Sequence, residues 1–230
     1  MFRAQRRHGE LTPLGHQQHR DIASRMYERF PEVFAGNVHV DAKTTVVIRC
    51  ILSMENELQQ LMLLNPQLQI SQDASEYDMP YMNHSDKVLN AQKGVTKVQM
   101  EYMGYFKKNF DYKPLVSRLF TDVSYVENNF DVYEFVSRLF KLASNIQSTE
   151  SRHDMTLYNV FTKDELYRLW QVANASWYMS YGAAPQNGGT QPFSQRYLLK
   201  NIIEKADSAI ALPKPGATLR FGHETMVLPL

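Results

Sequence analysis

Residues 38–61 read Val38-His39-Val40-Asp41-Ala42-Lys43-Thr44-Thr45-Val46-Val47-Ile48-Arg49-Cys50-Ile51-Leu52-Ser53-Met54-Glu55-Asn56-Glu57-Leu58-Gln59-Gln60-Leu61, and their pattern decides the fold class. Val38-His39-Val40 alternates apolar and polar side chains as a half-buried strand does, and Asp41 to Thr45 reads as a turn rich in capping side chains. Val47, Ile51, Met54, Leu58 and Leu61 then recur at intervals of four, three, four and three, which lays them along one side of a helix. That helix ends near Asn65-Pro66. Leu68-Gln69-Ile70 alternates again as a short strand, and the polar stretch Ser71 to Ser85 reads as a loop. Strand, helix and strand in that order indicate an α/β fold.

On the N-terminal side, Thr12-Pro13 places a hydroxyl cap before a proline at the first helical position, where its missing N–H is not needed. Leu14, Ile22, Met26 and Phe30 follow at multiples of four, and Pro31 stops the run, so a first amphipathic helix precedes the strand. From Lys87 to Asn187 the periodicity is helical throughout, over Val88 to Phe110, Leu115 to Phe120, Val132 to Asn145 and Lys163 to Tyr178. Val116-Ser117-Arg118-Leu119-Phe120 returns as Val136-Ser137-Arg138-Leu139-Phe140, one repeat and not a solenoid. Tyr197, Leu198, Ile202, Ala206 and Ala209 mark a further helix, and Ala217 to Phe221 reads as a strand closed by Gly222. The expected organisation is a partial α/β sandwich core in residues 1–80 and 191–230, with a mostly helical insertion over 81–190. Met226, Val227, Leu228 and Leu230 need something to pack against, so the second part of the core is expected to be cut short.

Composition excludes several classes. The chain has 230 residues, 43% of them hydrophobic, with 25 Lys plus Arg against 24 Asp plus Glu, a formal charge of +1. That length buries a core without staples, and that balance argues against nucleic acid or an anionic membrane as the main partner. Arg3, Arg6, Arg7 and His8 form the one basic cluster and read as a solvated end. Cys50 is the single cysteine, so no internal disulfide forms and the compartment stays open. No apolar run is long enough to span a bilayer, and no hydrophobic stretch follows the early positive charges as a signal peptide requires.

Two places carry chemistry. Thr45 and Arg49 are four apart and are expected on one face in the first turns of a helix, where free N–H groups, a hydroxyl and a guanidinium together suit a phosphate. An arginine there otherwise pairs with a surface carboxylate. Gly222-His223-Glu224 follows a strand, the position at which α/β sheets place ligands, and a His beside a Glu can hold an anion and deliver a proton. The plainer reading of His223 is a partly buried ring satisfied by backbone. His8, His16 and His19 have no partnering cysteine, and His16 and His19 are expected on the solvent side of the first helix, so no metal site is expected. Asp73, Glu76 and Asp78 lack the glycine of a calcium loop, and Asn83-His84-Ser85 and Asn174-Ala175-Ser176 match glycosylation sequons that arise by chance.

Glu10-Leu11-Thr12-Pro13-Leu14-Gly15 with Gln18, Thr44-Thr45 followed by Arg49 and Ser53-Met54, and Arg220-Phe221-Gly222-His223-Glu224-Thr225 together resemble the histidine acid phosphatases, clade 2 of the histidine phosphatase superfamily. Leu142-Ala143-Ser144-Asn145-Ile146-Gln147 and Phe161 through Trp170 resemble, more narrowly, the bacterial multiple inositol polyphosphate phosphatases. The resemblance implies an α/β sandwich with a helical insertion and a phosphomonoesterase acting on inositol polyphosphates such as phytate. In such enzymes a histidine in an R-H-G-x-R motif attacks the phosphate and forms a phosphohistidine. Arg49 and His223 would hold the phosphoryl oxygens, and Glu224 would protonate the leaving group.

No cofactor and no metal is implied, the partner is a phosphorylated small molecule, and full-length members are periplasmic or secreted. The chain departs from the pattern at the nucleophile. Arg7-His8-Gly9 spells its first letters, but Glu10 and Leu11 stand where the next residue and the second arginine belong, and the tripeptide abuts the Thr12-Pro13 helix. His8 is therefore not assigned as nucleophile, and the expectation is a piece of a phosphatase, inactive by itself. The alternative is a non-catalytic phosphate-binding or helical interaction protein.

Overall fold

A computed structural model describes residues 9–83, 88–89, 100–101, 104–105, 108–214 and 216–230. The chain divides into two compact units, Met1–Asn90 with Pro192–Leu230, and Ala91–Gln191.

The first unit opens with helix α1 (Pro13–Arg29). Its cap is the one the sequence dictates: Thr12 Oγ1 accepts from the Gly15 N–H at 3.0 Å, with Pro13 at the first helical position. Pro31 starts the one-turn helix α2 (Pro31–Phe34), and strand β1 (His39–Thr44) follows. Helix α3 (Ile48–Leu64) leads to strand β2 (Gln69–Ala74) and the one-turn helix α4 (Met79–Met82).

Asp41 to Thr44 is strand, not the expected turn, because β1 pairs in parallel with a neighbour on either side and every residue in it gains a ladder partner. Alternation then sorts its side chains. Val40, Ala42 and Thr44 are fully buried against the helices, while Asp41 and Lys43 face the other way. The expected loop from Ser71 likewise begins as strand and runs to Ala74, an exposed polar edge, and Glu76–Asp78 makes a 3-10 turn before α4.

Ala23 of α1, Val40 and Ala42 of β1, and Met54, Leu58 and Leu61 of α3 form one core with Phe221. Asn65 at the end of α3 is buried and satisfied: its Nδ2 donates to Phe34 O at 2.7 Å and to Gly36 O at 2.9 Å. It ties the helix terminus to the loop entering β1.

The second unit is helical. Among its described residues run α5 (Lys113–Leu119), α6 (Val123–Asn129), α7 (Val132–Asn145) and α8 (Lys163–Tyr181). The expected helix from Val88 to Phe110 lies largely outside the described residues. Asp122 and Asp131 cap α6 and α7, and Thr162 and Glu165 form a capping box at the start of α8. Glu165 is also held by Arg118, whose Nε donates to Val160 O at 3.3 Å. Leu115, Val136, Ala143, Phe161 and Leu169 form a separate core, and Val116 and Val136, the matched positions of the repeated pentapeptide, are both buried.

The chain then re-enters the first unit with α9 (Arg196–Ile210), strand β3 (Ala217–Phe221) and the short helix α10 (Glu224–Val227). The sheet order is β2-β1-β3, with all strands parallel. Gly216 enters β3 at φ 63°, and a Cβ there would stand 2.0 Å from His39 O, so only glycine lets the two strands approach. No helix among the described residues is long and apolar enough to cross a membrane.

Candidate functional site

Because β1 and β3 are parallel and adjacent, their carboxyl ends meet, and the residues leaving them meet too. The Thr45 N–H donates to Phe221 O at 3.1 Å, one residue past the end of β1, and so fixes the two exits against each other. From the β1 side come Thr45, Arg49 and Cys50; from the β3 side come Gly222, His223 and Glu224. The geometry brings together Arg49 and His223, 174 residues apart in the chain, with Arg49 Nη2 3.1 Å from His223 Nδ1. Thr45 Oγ1 lies 3.5 Å from His223 Nε2. Thr45 precedes α3 instead of sharing its first turn, which starts at Ile48 after an uncapped Val47.

The tautomer follows from the donors. A guanidinium has only N–H groups to offer, so His223 Nδ1 must accept from Arg49, and the ring proton sits on Nε2, directed at the Thr45 hydroxyl. The imidazole is thus held neutral. Burial first, and the Arg49 charge second, hold its pKa below the ordinary 6.5, against an opposing pull from Glu224. Glu224 itself is exposed, in the first turn of α10.

Sequence reasoning missed Cys50. Its thiol donates to Gly222 O at 3.3 Å and stands 3.8 Å from His223 Nδ1, so it props the turn that carries the histidine. One helical position after Arg49, it could have been placed there by spacing alone once β3 was known to lie beside β1.

It also missed an ionic network on the sheet face away from α1 and α3. Lys43 Nζ bonds both oxygens of Asp78, at 2.9 and 3.1 Å, and the Tyr81 hydroxyl donates to Asp78 Oδ1 at 2.6 Å. Asp78 is almost fully buried. Burial opposes its ionisation, but the bonds from Tyr81 and Lys43 outweigh it and hold the carboxyl below its ordinary pKa. Tyr81 is pushed up to about 12 by burial and by its bond to Asp78. Arg220 Nη2 pairs with Asp41 Oδ2 at 2.9 Å across the strands. The signal was the alternation of Asp41 and Lys43 opposite Arg220. A cavity of about 490 Å³ opens beside this face, with Tyr81, Ile202, Arg220, His223 and Glu224 among its walls.

Other candidates resolve differently. His16 and His19 do not face solvent: His16 Nδ1 meets Asn56 Nδ2 at 2.7 Å, and His19 Nδ1 meets the buried Glu57 at 2.7 Å, both across the α1–α3 interface. The expectation overlooked that α3 offers polar partners inside its buried stripe. His8 lies outside the described residues, as do His84 and Ser85 of one sequon, while Asn174 is an exposed residue of α8. Among the described residues no group of three or more His, Cys, Asp or Glu is arranged to hold a metal ion.

No protein-family model matches the sequence, and no curated protein matches it. Solved structures do match. The chain is similar to the multiple inositol polyphosphate phosphatase of Bifidobacterium longum in complex with inositol hexasulfate, at a TM-score of 0.65 and 14% identity, covering 96% of this chain and 62% of that one. It is similar also to the phytase from D. castellii, at a TM-score of 0.61 and 14% identity, covering 96% of this chain and 48% of that one. The fold is therefore that of the histidine acid phosphatases, an α/β core with a helical domain, and the chain spans less than two thirds of the length of these neighbours.

Proposed function

We propose that the exits of β1 and β3 form part of a phosphomonoesterase site for inositol polyphosphates such as phytate, in which Arg49 and His223 hold the phosphoryl group and Glu224 protonates the departing alcohol. The observation that carries this reading is the 3.1 Å approach of Arg49 to a neutral His223 with Glu224 next in the chain, at the carboxyl ends of parallel strands. The names of the two structural neighbours support the substrate class.

Phosphoryl transfer asks the protein for positioning and for charge facing the equatorial oxygens. Arg49 supplies a permanent cation. An arriving dianion takes over the guanidinium and, by its own charge, favours the imidazolium, so His223 gains a proton and becomes a second donor. Cleavage by a phosphohistidine route forms a bond from a nucleophilic nitrogen to phosphorus and breaks the ester P–O bond, whose oxygen takes the Glu224 proton. The attacking nitrogen is not among the residues gathered here, since His223 is engaged in holding and Cys50 points at Gly222 O. The described residues of this site are therefore expected to bind phosphate without turning it over.

Calorimetry with inorganic phosphate and with phytate tests this, alongside phosphate release from phytate. Binding that weakens about ten-fold or more in Arg49→Ala and in His223→Ala, falls with added salt, and comes without release is expected. Binding indifferent to both substitutions would remove the site, and release that survives His223→Ala would remove the role given to that histidine.

A further inference from the structure

The helical unit holds a cavity that the phosphate site does not use. It measures about 450 Å³, lies between α7 and α8, and falls within the size range of about 300–1,000 Å³ typical of small-molecule sites. Trp177 and Tyr181, both on its lining, stack on each other with ring centroids 5.0 Å apart and an interplanar angle of 27°, which restrains both rings and leaves each its outer face. Tyr133 and Phe140 face it from α7.

The polar groups are placed among these rings. Ser137 on α7 and Ser176 and Ser180 on α8 line the same space. Serines inside helices commonly return the hydroxyl to the carbonyl four residues back, as Ser144 does to Phe140 O at 2.9 Å. Ser137 and Ser180 are half-buried and Ser176 is exposed, and none of the three makes a hydrogen bond among the described residues, so their hydroxyls are open to exchange water for a ligand's polar groups. Lys141 and Glu134 stand on the wall as a cation and an anion; Glu134 is bonded to Arg138 at 2.7 Å, and Lys141 has no ion pair among the described residues.

We propose that this cavity is a carbohydrate site that takes one pyranose ring of a neutral saccharide. A pyranose presents a face of C–H groups to the negative face of an aromatic ring, and the outer face of the Trp177–Tyr181 stack is the one left for it. Its rim is hydroxyls that both donate and accept, and the three serine hydroxyls match them, with Lys141 as a further donor and Glu134 as a further acceptor. Fixing the rings in advance removes part of the ordering cost that limits weak ligands.

The chain has two tryptophans, so Trp170→Phe leaves Trp177 as the only indole reporter. Methyl β-glucoside, methyl β-galactoside, N-acetylglucosamine, maltose and cellobiose are titrated against it, with sodium benzoate as the aromatic anion. A saturable change in Trp177 emission with at least one saccharide is expected, unaffected by salt and weakened about ten-fold or more by Ser180→Val at unchanged circular dichroism. Trp177→Ala, tested by calorimetry because it removes the reporter, should abolish binding; Trp177 is exposed enough for the variant to fold. The proposal is overturned by no saturable response to any of these saccharides up to about 50 mM, by binding that both substitutions leave unchanged, or by benzoate binding more tightly than every saccharide.

Discussion

His223 is held neutral by burial first and by a permanently charged neighbour second, which makes its titration a direct reading of the site. Removing the guanidinium in Arg49→Ala takes away one of the two causes that lower its pKa, so the value should rise towards 6.5. Glu224→Gln removes the opposing cause, and the value should fall further. Proton NMR of the imidazole over pH checks both, and shifts in the same direction for the two variants would rule out the arrangement. The sign for stability follows by linkage. A histidine harder to protonate in the folded state binds fewer protons than in the unfolded chain, so its contribution is fully present above about 6.5 and is lost as pH falls from there through the folded-state pKa. Denaturation in urea across that interval should show stability decreasing with acid, and less steeply in Arg49→Ala. Phosphate binding should be accompanied by proton uptake, visible as a buffer-dependent heat.

At the scale of elements, the approach of β1 to β3 depends on a residue with no side chain. Gly216→Ala adds a Cβ in the left-handed region against His39 O, a strain of about 1–2 kcal/mol before the clash is relieved. The variant should unfold at lower denaturant and should also weaken phosphate binding, because β3 carries His223. Asp78 ties β1 to the segment beyond β2: Asp78→Ala leaves Lys43 and Tyr81 facing an empty position and should cost about 3 kcal/mol. In the helical unit, Thr162→Ala removes half of the capping box of α8 and should cost about 1 kcal/mol, with no effect on phosphate binding. Chemical denaturation of each variant measures these differences. Elements were legible where local chemistry was complete: Thr12-Pro13 marked the start of α1, and Val132 to Asn145 matches α7. Asp41 to Thr44 was not legible as strand because Asp41, Ala42 and Lys43 are weak strand formers, and only pairing on both sides makes them strand.

Over the whole molecule, the apolar surface exceeds what isolated side chains explain. Leu199, Ile203 and Ile210 recur along one side of α9 and are all exposed, Ile210 at 83%. Exposed apolar side chains grouped on one helix face favour self-association. Sedimentation velocity should show mass increasing with protein concentration, and the pair Ile203→Glu with Ile210→Lys should reduce it without disturbing His223, which α9 does not carry. A stripe that proves inert to both substitutions would mean that another surface associates.

The sequence by itself determined the two candidate motifs, the α/β character of the first unit, the helical character of the second, and the near-neutral charge that argues against nucleic acid. These are local properties: caps, periodicity and composition act within a few residues of where they are read. Only the tertiary structure decided that Arg49 and His223 touch, that Cys50 and Thr45 stand beside them, that His16 and His19 turn inward to Asn56 and Glu57, and that Lys43, Asp78 and Tyr81 form one network. Each of these joins segments far apart in the chain. Such a contact is set by the parallel register of β1 with β3 or by the packing of α1 on α3, and no run of neighbouring residues encodes which distant partner will arrive.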